Sequence, residues 1–370
     1  MKILVTGGAG FIGSHTIDAL LAKGHDVRIL DNLSKPVHLK GRPSYLQSEA
    51  EFIEGDVRDK EMMRKALNGI DAVYHLAAYQ DYLPDFSTFF HVNAVGTALI
   101  YELIVEDKLP VRKVVVASSQ AVAGEGLYKD GDGELFSPDI RSESQLQKGD
   151  WDIRDAKGRP AQYQPTPETV CNPQNQYGLS KLSQERLCVH LGRRYEIPTV
   201  AMRYSIVQGP RQSFYNAYSG ACRIFCLGAY FDKAPVVYED GQQIRDFVNI
   251  HDVVDANVLV MEDSRADYRV FNVGGGRPYT VHEFADIVCG AFGKDLKPEL
   301  PGLYRFGDTR HILSDISALK SLGWSPRRDA KASVAEYIEY LRAQTDVEDI
   351  LDYAEKKMKD LNVVRSVRKS

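Results

Sequence analysis

The chain has 370 residues, of which 44% are hydrophobic and 26% charged, and a formal net charge of −5. This length makes room for one large α/β unit or two packed lobes with an ample core, and the apolar content excludes a disordered chain. The mild negative charge gives no electrostatic reason to expect nucleic acid or an anionic membrane as partner, so a small molecule is the expected ligand.

Cys171, Cys188, Cys222, Cys226 and Cys289 are odd in number, scattered and without a CxxC pair. Neither a disulfide framework nor a metal site is expected from them, and Cys222 and Cys226, four apart in an apolar stretch, read as core. No basic segment followed by an apolar run opens the chain, and no run of about 18 uncharged apolar residues follows. A reducing cytoplasm is the expected location.

In chain order, "KILVT" at 2–6 is a short apolar strand that runs into "GGAG", and residues 11–23 carry a helical pattern closed by Gly24. The stretch "TGGAGFIG" therefore sets Gly7, Gly10 and Gly13 after a strand and at the start of a helix. The first glycine permits a tight turn, the second lets backbone approach a pyrophosphate, and the third lets helix close on sheet, with unpaired helical N–H groups facing the phosphates. The next strand, "DVRIL", is followed by Asp31, at the spacing where a carboxylate accepts hydrogen bonds from an adenosine ribose. That carboxylate would repel a 2′-phosphate, and no Arg follows it directly, so NAD is favoured over NADP.

"EFIEGDV" reads as a further strand with Asp56 at its end, where a carboxylate can meet an adenine edge or simply close a turn. "AVYHLAA" is another; its small residues Ala77 and Ala78 suit backbone passing close to a cofactor, and His75 reads as a packed core histidine. A helical pattern spans 89–106, and "KVVVASS" is a strand ending at Ser118 and Ser119, where ligands of an open α/β sheet bind. A hydroxyl there can both donate to and accept from a reacting oxygen, although serine at a strand end also serves turns and caps. Residues 124–167 are rich in Gly, Asp, Lys and Pro with little periodicity, and read as a long loop of the functional or mobile kind.

The helical pattern at 175–195 contains "YGLSK", with Tyr177 and Lys181 one turn apart on the same face. Bringing a phenol from its ordinary pKa to about 7 takes roughly 4 kcal/mol of preferential stabilisation of the phenolate. A fixed ammonium supplies part of that and a cationic nicotinamide ring more, which makes the phenolate a general base at working pH. Alone, Tyr-x-x-x-Lys is more often a solvated helix face; downstream of a dinucleotide loop the catalytic reading prevails.

"PTVAMRY" and "RVFNVGG" complete the strands, which alternate with helices and so imply a doubly wound parallel α/β sheet. Beyond about 205 the rhythm is irregular, with helices expected near 280–292 and 333–343 in a smaller interleaved α/β lobe. The expected division is 1–204 with 246–272 for cofactor, 205–245 and 273–345 for substrate, and 346–370 as a charged extension, ending in "RSVRKS", that is read as solvated.

Taken together, "TGGAGFIG", "DNL", "GDV", "HLAA", "SSQAV", "YGLSK", "QIRDFVNIHDVVDA" and "FNVGGG" resemble the extended short-chain dehydrogenase/reductase family, in particular its nucleotide-sugar epimerases and dehydratases, over about residues 1–330. The resemblance implies an enzyme in which Tyr177 is the base, Lys181 its partner and Ser119 the hydroxyl on the reacting oxygen. It implies NAD lined by Phe11, Ile12, Asp31, Asn32, Asp56, Val57, Leu76, Ala77, Ala78 and Asn93. It also implies a nucleotide sugar held by Arg245, Arg305 and Asp308, with a structural ion pair to a neighbouring Asp as the other reading of Arg245. Pairing through the helices at 89–106 and 175–195 into a homodimer is implied in the same way.

The dehydratases carry an acidic pair directly after the catalytic hydroxyl residue; here Gln120 and Ala121 stand there. Without an acid or base for water elimination, what remains is epimerisation, most simply at C4 through a transient keto-sugar with NAD regenerated. A dehydratase, a reductase or a dehydrogenase exchanging NAD(H) with solvent is the alternative. Ala123 and Ile206 depart from the residues usual in the family, and the interval from Gly124 to Tyr177 is about twice the usual length. "SSQAVAGEGLY" and "RYSIVQGPRQSFYNAYSG" are most similar to the dTDP-L-rhamnose 4-epimerase branch, which makes a dTDP-linked 6-deoxyhexose the first expectation for substrate and a UDP-hexose the next.

Overall fold

Seven strands make the central sheet: β1 (Lys2–Thr6), β2 (Asp26–Asp31), β3 (Glu51–Glu54), β4 (Ala72–His75), β5 (Lys113–Ser119), β6 (Thr199–Tyr204) and β7 (Arg269–Val273). In space they run β7-β6-β5-β4-β1-β2-β3, all parallel. The strand order reverses between β1 and β4, the crevice where a doubly wound sheet binds ligands. The strands are runs of Val, Ile and Leu because helices cover both faces; Ile3, Val5, Val115 and Met202 pack on one side, and Leu4, Val73, Val114 and Val116 on the other. His75, wholly buried and bonded through Nδ1 to Thr6 Oγ1 at 2.7 Å, is the core histidine its sequence suggests.

The structure is a computed structural model, and residues 1–215, 220–345 and 347–368 are described. Asn216, Ala217, Tyr218 and Ser219 of the "RQSFYNAYSG" stretch, Asp346, and the Lys369 and Ser370 of the tail lie outside the described residues.

The helical pattern at 89–106 is one continuous helical stretch with a defect: α-helix Phe86–Phe90, a wider turn at His91–Val95, then α-helix Gly96–Glu106. From Phe86 to Glu106 it is long and apolar enough to cross a membrane by length and composition, a property the count of uncharged residues missed. Ile100, Tyr101, Leu103 and Ile104 are nonetheless spent in the core beneath β4 and β5, so the apolar content is accounted for by packing.

The second lobe is built on Ile206–Gln208, parallel to Ile244–Asn249, which pairs antiparallel with Pro278–Thr280. Helices Ala221–Tyr230, Val281–Phe292 and Ala330–Arg342 close around it with a core of Phe247, Phe284, Val288 and Tyr337. Cys222, Cys226 and Cys289 are buried here as packing residues.

Two expectations need correction. Residues 124–167 are not an unstructured loop: Leu127–Lys129 forms the middle of a small antiparallel sheet with Leu135–Phe136 and Gln162–Gln164. Charge-paired burial replaces apolar periodicity there, since Arg141 is sunk against Glu239 with bonds of 2.8 and 2.9 Å. The tail is not solvated either. Helix Leu351–Asp360 buries Ala354 and Met358, and Val364–Ser366 pairs antiparallel with Leu303–Arg305. Its charges misled: Lys357 and Arg365 reach Asp81 and Glu143 at 3.7 and 2.8 Å.

Candidate active site

The catalytic candidates meet because of one glycine. Helix Gln176–Arg194 begins at Asn175, whose side chain accepts from the Gly178 N–H at 2.8 Å. A Cβ on Gly178 would stand 2.6 Å from the Ala121 carbonyl oxygen, so only glycine lets this helix start abut the turn that follows Ser119. Tyr177 is thereby brought against Ser119 at the C-terminal end of β5, close enough for the serine hydroxyl to favour the phenolate. The Ser119 hydroxyl also accepts from the Ala121 N–H at 3.2 Å, which fixes its rotamer.

Lys181 lies one turn on, 1% exposed, with Nζ 5.9 Å from the centre of the Tyr177 ring. Its ammonium donates to the Ala117 carbonyl at 2.9 Å and to Gln184 Oε1 at 2.8 Å. Gln184 in turn donates to Thr97, and Thr97 to the Asn93 carbonyl, at 2.8 and 2.7 Å. Burial pushes the Lys181 pKa down to about 7, and burial pushes the Tyr177 phenol up to about 12 against a smaller opposing pull from Ser119. The protein's own groups therefore do not by themselves set the phenol near neutrality, and the spacing of Tyr177 and Lys181 implied only part of the required stabilisation from the ammonium. The low-polarity surroundings that disfavour each charge separately also strengthen the attraction between the two when both are present.

The residues suited to a dinucleotide fit it. Gly7 sits at φ +67°, and a Cβ there would be 2.6 Å from the Ala77 nitrogen; one on Gly13 would be 2.4 Å from the Gly7 oxygen. A Cβ on Gly10 would meet only the Gly7 oxygen, at 3.2 Å. Gly10 opens helix Phe11–Ala22, which has neither a side-chain cap nor an acidic residue in its first turn, an arrangement complementary to an anionic diphosphate. Asp31 is pinned beside this loop, accepting from the Ala9 and Leu33 N–H groups at 3.0 and 2.9 Å, with lone pairs to spare for a ribose hydroxyl. Asn32 donates to Asp56 at 2.9 Å, and Arg58 grips Asp56 and holds its pKa down at about 2. Val57 and Asn93 have their side chains engaged by the protein. The Val57 side chain packs against Gly96, and Asn93 is fully buried with its amide on Tyr79 and Ser180. Through its carbonyl Asn93 connects by way of Thr97 and Gln184 to Lys181.

A single cavity of about 900 Å³ is lined by Phe11, Ile12, Leu76 and Ala78, by Ser119, Tyr177 and Lys181, and by Arg245, Arg305 and Asp308. Arg245 lines the cavity and pairs with Asp308 at 3.4 Å, while donating to the Ile244 and Arg310 carbonyls at 3.0 and 3.1 Å. Arg305 lies 4.9 Å from the Tyr238 ring and 5.7 Å from that of Tyr82, and its buried Nε has no hydrogen-bond partner among the described residues. Arg305 also lines the cavity, and a guanidinium there is suited to a phosphate oxygen. Tyr82, Tyr238 and Gln184 are the residues sequence reasoning missed. Only Gln184 had a signal, its place at i+3 from Lys181.

With this geometry in view, the chain belongs to the NAD dependent epimerase/dehydratase family, which matches residues 3–274, and NAD is its cofactor. It is 32% identical to the dTDP-L-rhamnose 4-epimerase of Burkholderia thailandensis over 93% of this chain and 96% of that one. Among solved structures it is similar to the UDP-glucose 4-epimerase of Thermotoga maritima in complex with UDP-glucose, with TM-score 0.74 and 30% identity over 92% of this chain and 99% of that one. It is also similar to the UDP-glucuronic acid 4-epimerase of Bacillus cereus in complex with NAD, with TM-score 0.74 and 26% identity over 94% of this chain and the whole of that one.

Proposed function

We propose that this chain is an NAD-dependent nucleotide-sugar 4-epimerase whose substrate is a dTDP-linked 6-deoxyhexose, with a UDP-hexose next in order. The observation that carries the reading is the grouping of Ser119, Tyr177 and Lys181 in one cavity with Arg245 and Arg305, with Gln120 and Ala121 rather than carboxylates directly after Ser119.

Arg305 and Arg245 take the diphosphate, and Asp308 a ribose hydroxyl. Ser119 holds the sugar oxygen, and Tyr177 takes the C4 hydroxyl proton and later returns it. Lys181 sustains the phenolate as its nearest cation. NAD, held by the glycine loop and Asp31, supplies a hydride acceptor and donor together with a cationic ring. The cavity's breadth leaves a keto-sugar room to turn, so that the opposite face of C4 would be presented for hydride return while Tyr177 gives the proton back to the oxygen. No acid or base follows Ser119 to expel a 6-hydroxyl, which favours epimerisation over dehydration.

The enzyme works as a homodimer in the cytoplasm. Phe86, Val95 and Leu179, on the two packed helices at 86–106 and 176–194, are exposed apolar side chains suited to a second copy, and five free thiols suit a reducing compartment.

Incubation with dTDP-, UDP-, CDP- and GDP-sugars, read by NMR, tests the reaction. The expected result is a 4-epimer with no net change in NADH absorbance; accumulation of NADH or of a dehydrated sugar would overturn it.

A further inference from the structure

We propose that the C-terminal helix Leu351–Asp360 is a wall of the substrate site, with Met358 packing on the nucleoside half of the nucleotide sugar, an inference that rests on the functional reading above. The helix lines the catalytic cavity with Leu351, Asp352, Ala354, Glu355 and Met358. Tyr177 and Ser119 define the sugar end of that cavity, and Arg245 and Arg305 its diphosphate station. What extends beyond a diphosphate from its sugar is a nucleoside.

The chemistry of the wall agrees. Asp352 and Glu355, paired with Lys233 and Lys359, keep carboxylate oxygens that can accept N–H and O–H bonds from a base or ribose, and Ala354 and Met358 add apolar atoms to the cavity lining. The same cavity is also lined by Ile224, Phe225, Pro235 and Val236, which are apolar as well.

The helix is tied in place on three sides. Lys233 bridges to Asp349 and Asp352 at 2.7 and 3.1 Å, and Leu351 reaches over Gly228 of helix Ala221–Tyr230, with 3.7 Å between its Cδ1 and a Cβ built there. On the far side the chain continues into Val364–Ser366, which pairs with the strand that ends in Arg305. The Phe306 N–H donates to the Val363 carbonyl at 3.2 Å, and the Val367 N–H to that of Gly302 at 3.0 Å. One segment thus builds the nucleoside wall and braces the strand that presents Arg305.

Binding of dTDP and UDP to the full-length holoenzyme, followed by calorimetry, tests this. Met358→Ala should weaken binding roughly tenfold, by loss of most of one buried side chain's contact. Met358→Leu should restore it, and Tyr353→Ala, on the exposed face of the same helix, should leave it unchanged. Nucleotide should also slow hydrogen exchange of residues 351–366 in the unsubstituted protein, a readout that does not depend on any variant folding. Unchanged affinity in a folded Met358→Ala, or exchange at 351–366 indifferent to a nucleotide that binds, would overturn the wall while leaving the functional reading intact. Failure of the unsubstituted protein to bind either nucleotide would overturn both.

Discussion

Lys181 Nζ donates to Gln184 Oε1 at 2.8 Å, three residues along the same buried helix face, and that bond helps fix the ammonium 5.9 Å from the centre of the Tyr177 ring. Gln184 is wholly buried and is not among the residues lining the catalytic cavity. It acts as a positioning residue for Lys181.

Gln184→Leu should therefore lower kcat by roughly 10- to 100-fold with KM little changed, because one oriented hydrogen bond to a cation is lost where charge develops. A pH–rate profile separates this from a general loss of structure: the limb that reports the Tyr177–Lys181 pair should move, and Gln184→Glu should partly restore the rate by returning an acceptor. Equal rates and profiles for Gln184→Leu and the unsubstituted enzyme would contradict it.

Tyr177→Phe removes only the proton-accepting oxygen. Turnover should fall by at least 10²- to 10⁴-fold while NAD remains bound, since the cofactor-side residues Gly7, Asp31 and Asp56 are unaffected. Cofactor content after purification and NMR turnover assays measure the two halves independently. Retained turnover would disprove the assignment of the base.

Asp31→Ala should weaken NAD binding by roughly 10- to 100-fold. The same carboxylate also fixes the Ala9 and Leu33 N–H groups, so part of the loss is that of the loop's shape. The ratio of NAD to NADP affinity isolates the charge effect; it should fall toward one, and an unaltered ratio would refute the ribose contact.

The glycine loop, the strand-end serine and the Tyr/Lys pair were legible because each is set by local chain geometry: a turn, a strand terminus, a helical i, i+4 spacing. The sheet was legible because parallel strands buried on both faces are written as unbroken apolar runs. Arg141, Glu239 and Arg310 were not, since their burial depends on meeting across 98 residues of sequence for Arg141 and Glu239 and 71 for Glu239 and Arg310, and nothing local distinguishes a charge that will be paired inside from one that will face water. Met358 and Ala354 were hidden for the opposite reason: the lysines and acids around them made a helix with one buried face look uniformly solvated. Gln184 had a helical spacing from Lys181 but no chemistry of its own to single it out.

Glu125 gives a pH signature. It is 3% exposed, and burial raises its pKa to about 7, opposed by Arg141. Its folded-state pKa thus lies above that of the unfolded chain, so folding takes up a proton between about 4.5 and about 7, and stability from this group is present at the acid end and lost as pH rises through that window. Glu125→Gln should flatten this part of the stability curve, as measured by urea unfolding at a series of pH values. An unchanged slope would show that Glu125 ionises normally in the folded protein.

Arg141 and Glu239 form a bidentate pair in which both side chains are 2% exposed, and Arg310 joins it with 3.0 Å to Glu239 and 2.7 Å to Asp240. Arg141 also donates to the Asp308 carbonyl at 2.9 Å, so the segment around residue 141 holds the loop that carries Arg305 and Asp308. Removing one member of such a pair strands a buried charge, and Arg141→Ala should cost about 3–5 kcal/mol in unfolding experiments. Replacing both, as Arg141→Met with Glu239→Leu, leaves Arg310 its partner Asp240 and should recover most of that loss, because the larger part of the penalty is the uncompensated charge rather than the missing bond. If the double variant is as unstable as the single one, the pair itself, and not the stranded carboxylate, carries the energy. The recovered double variant then reports on the site: with the fold restored but the tie to Asp308 gone, its KM for nucleotide sugar should remain raised while kcat at saturation approaches that of the parent.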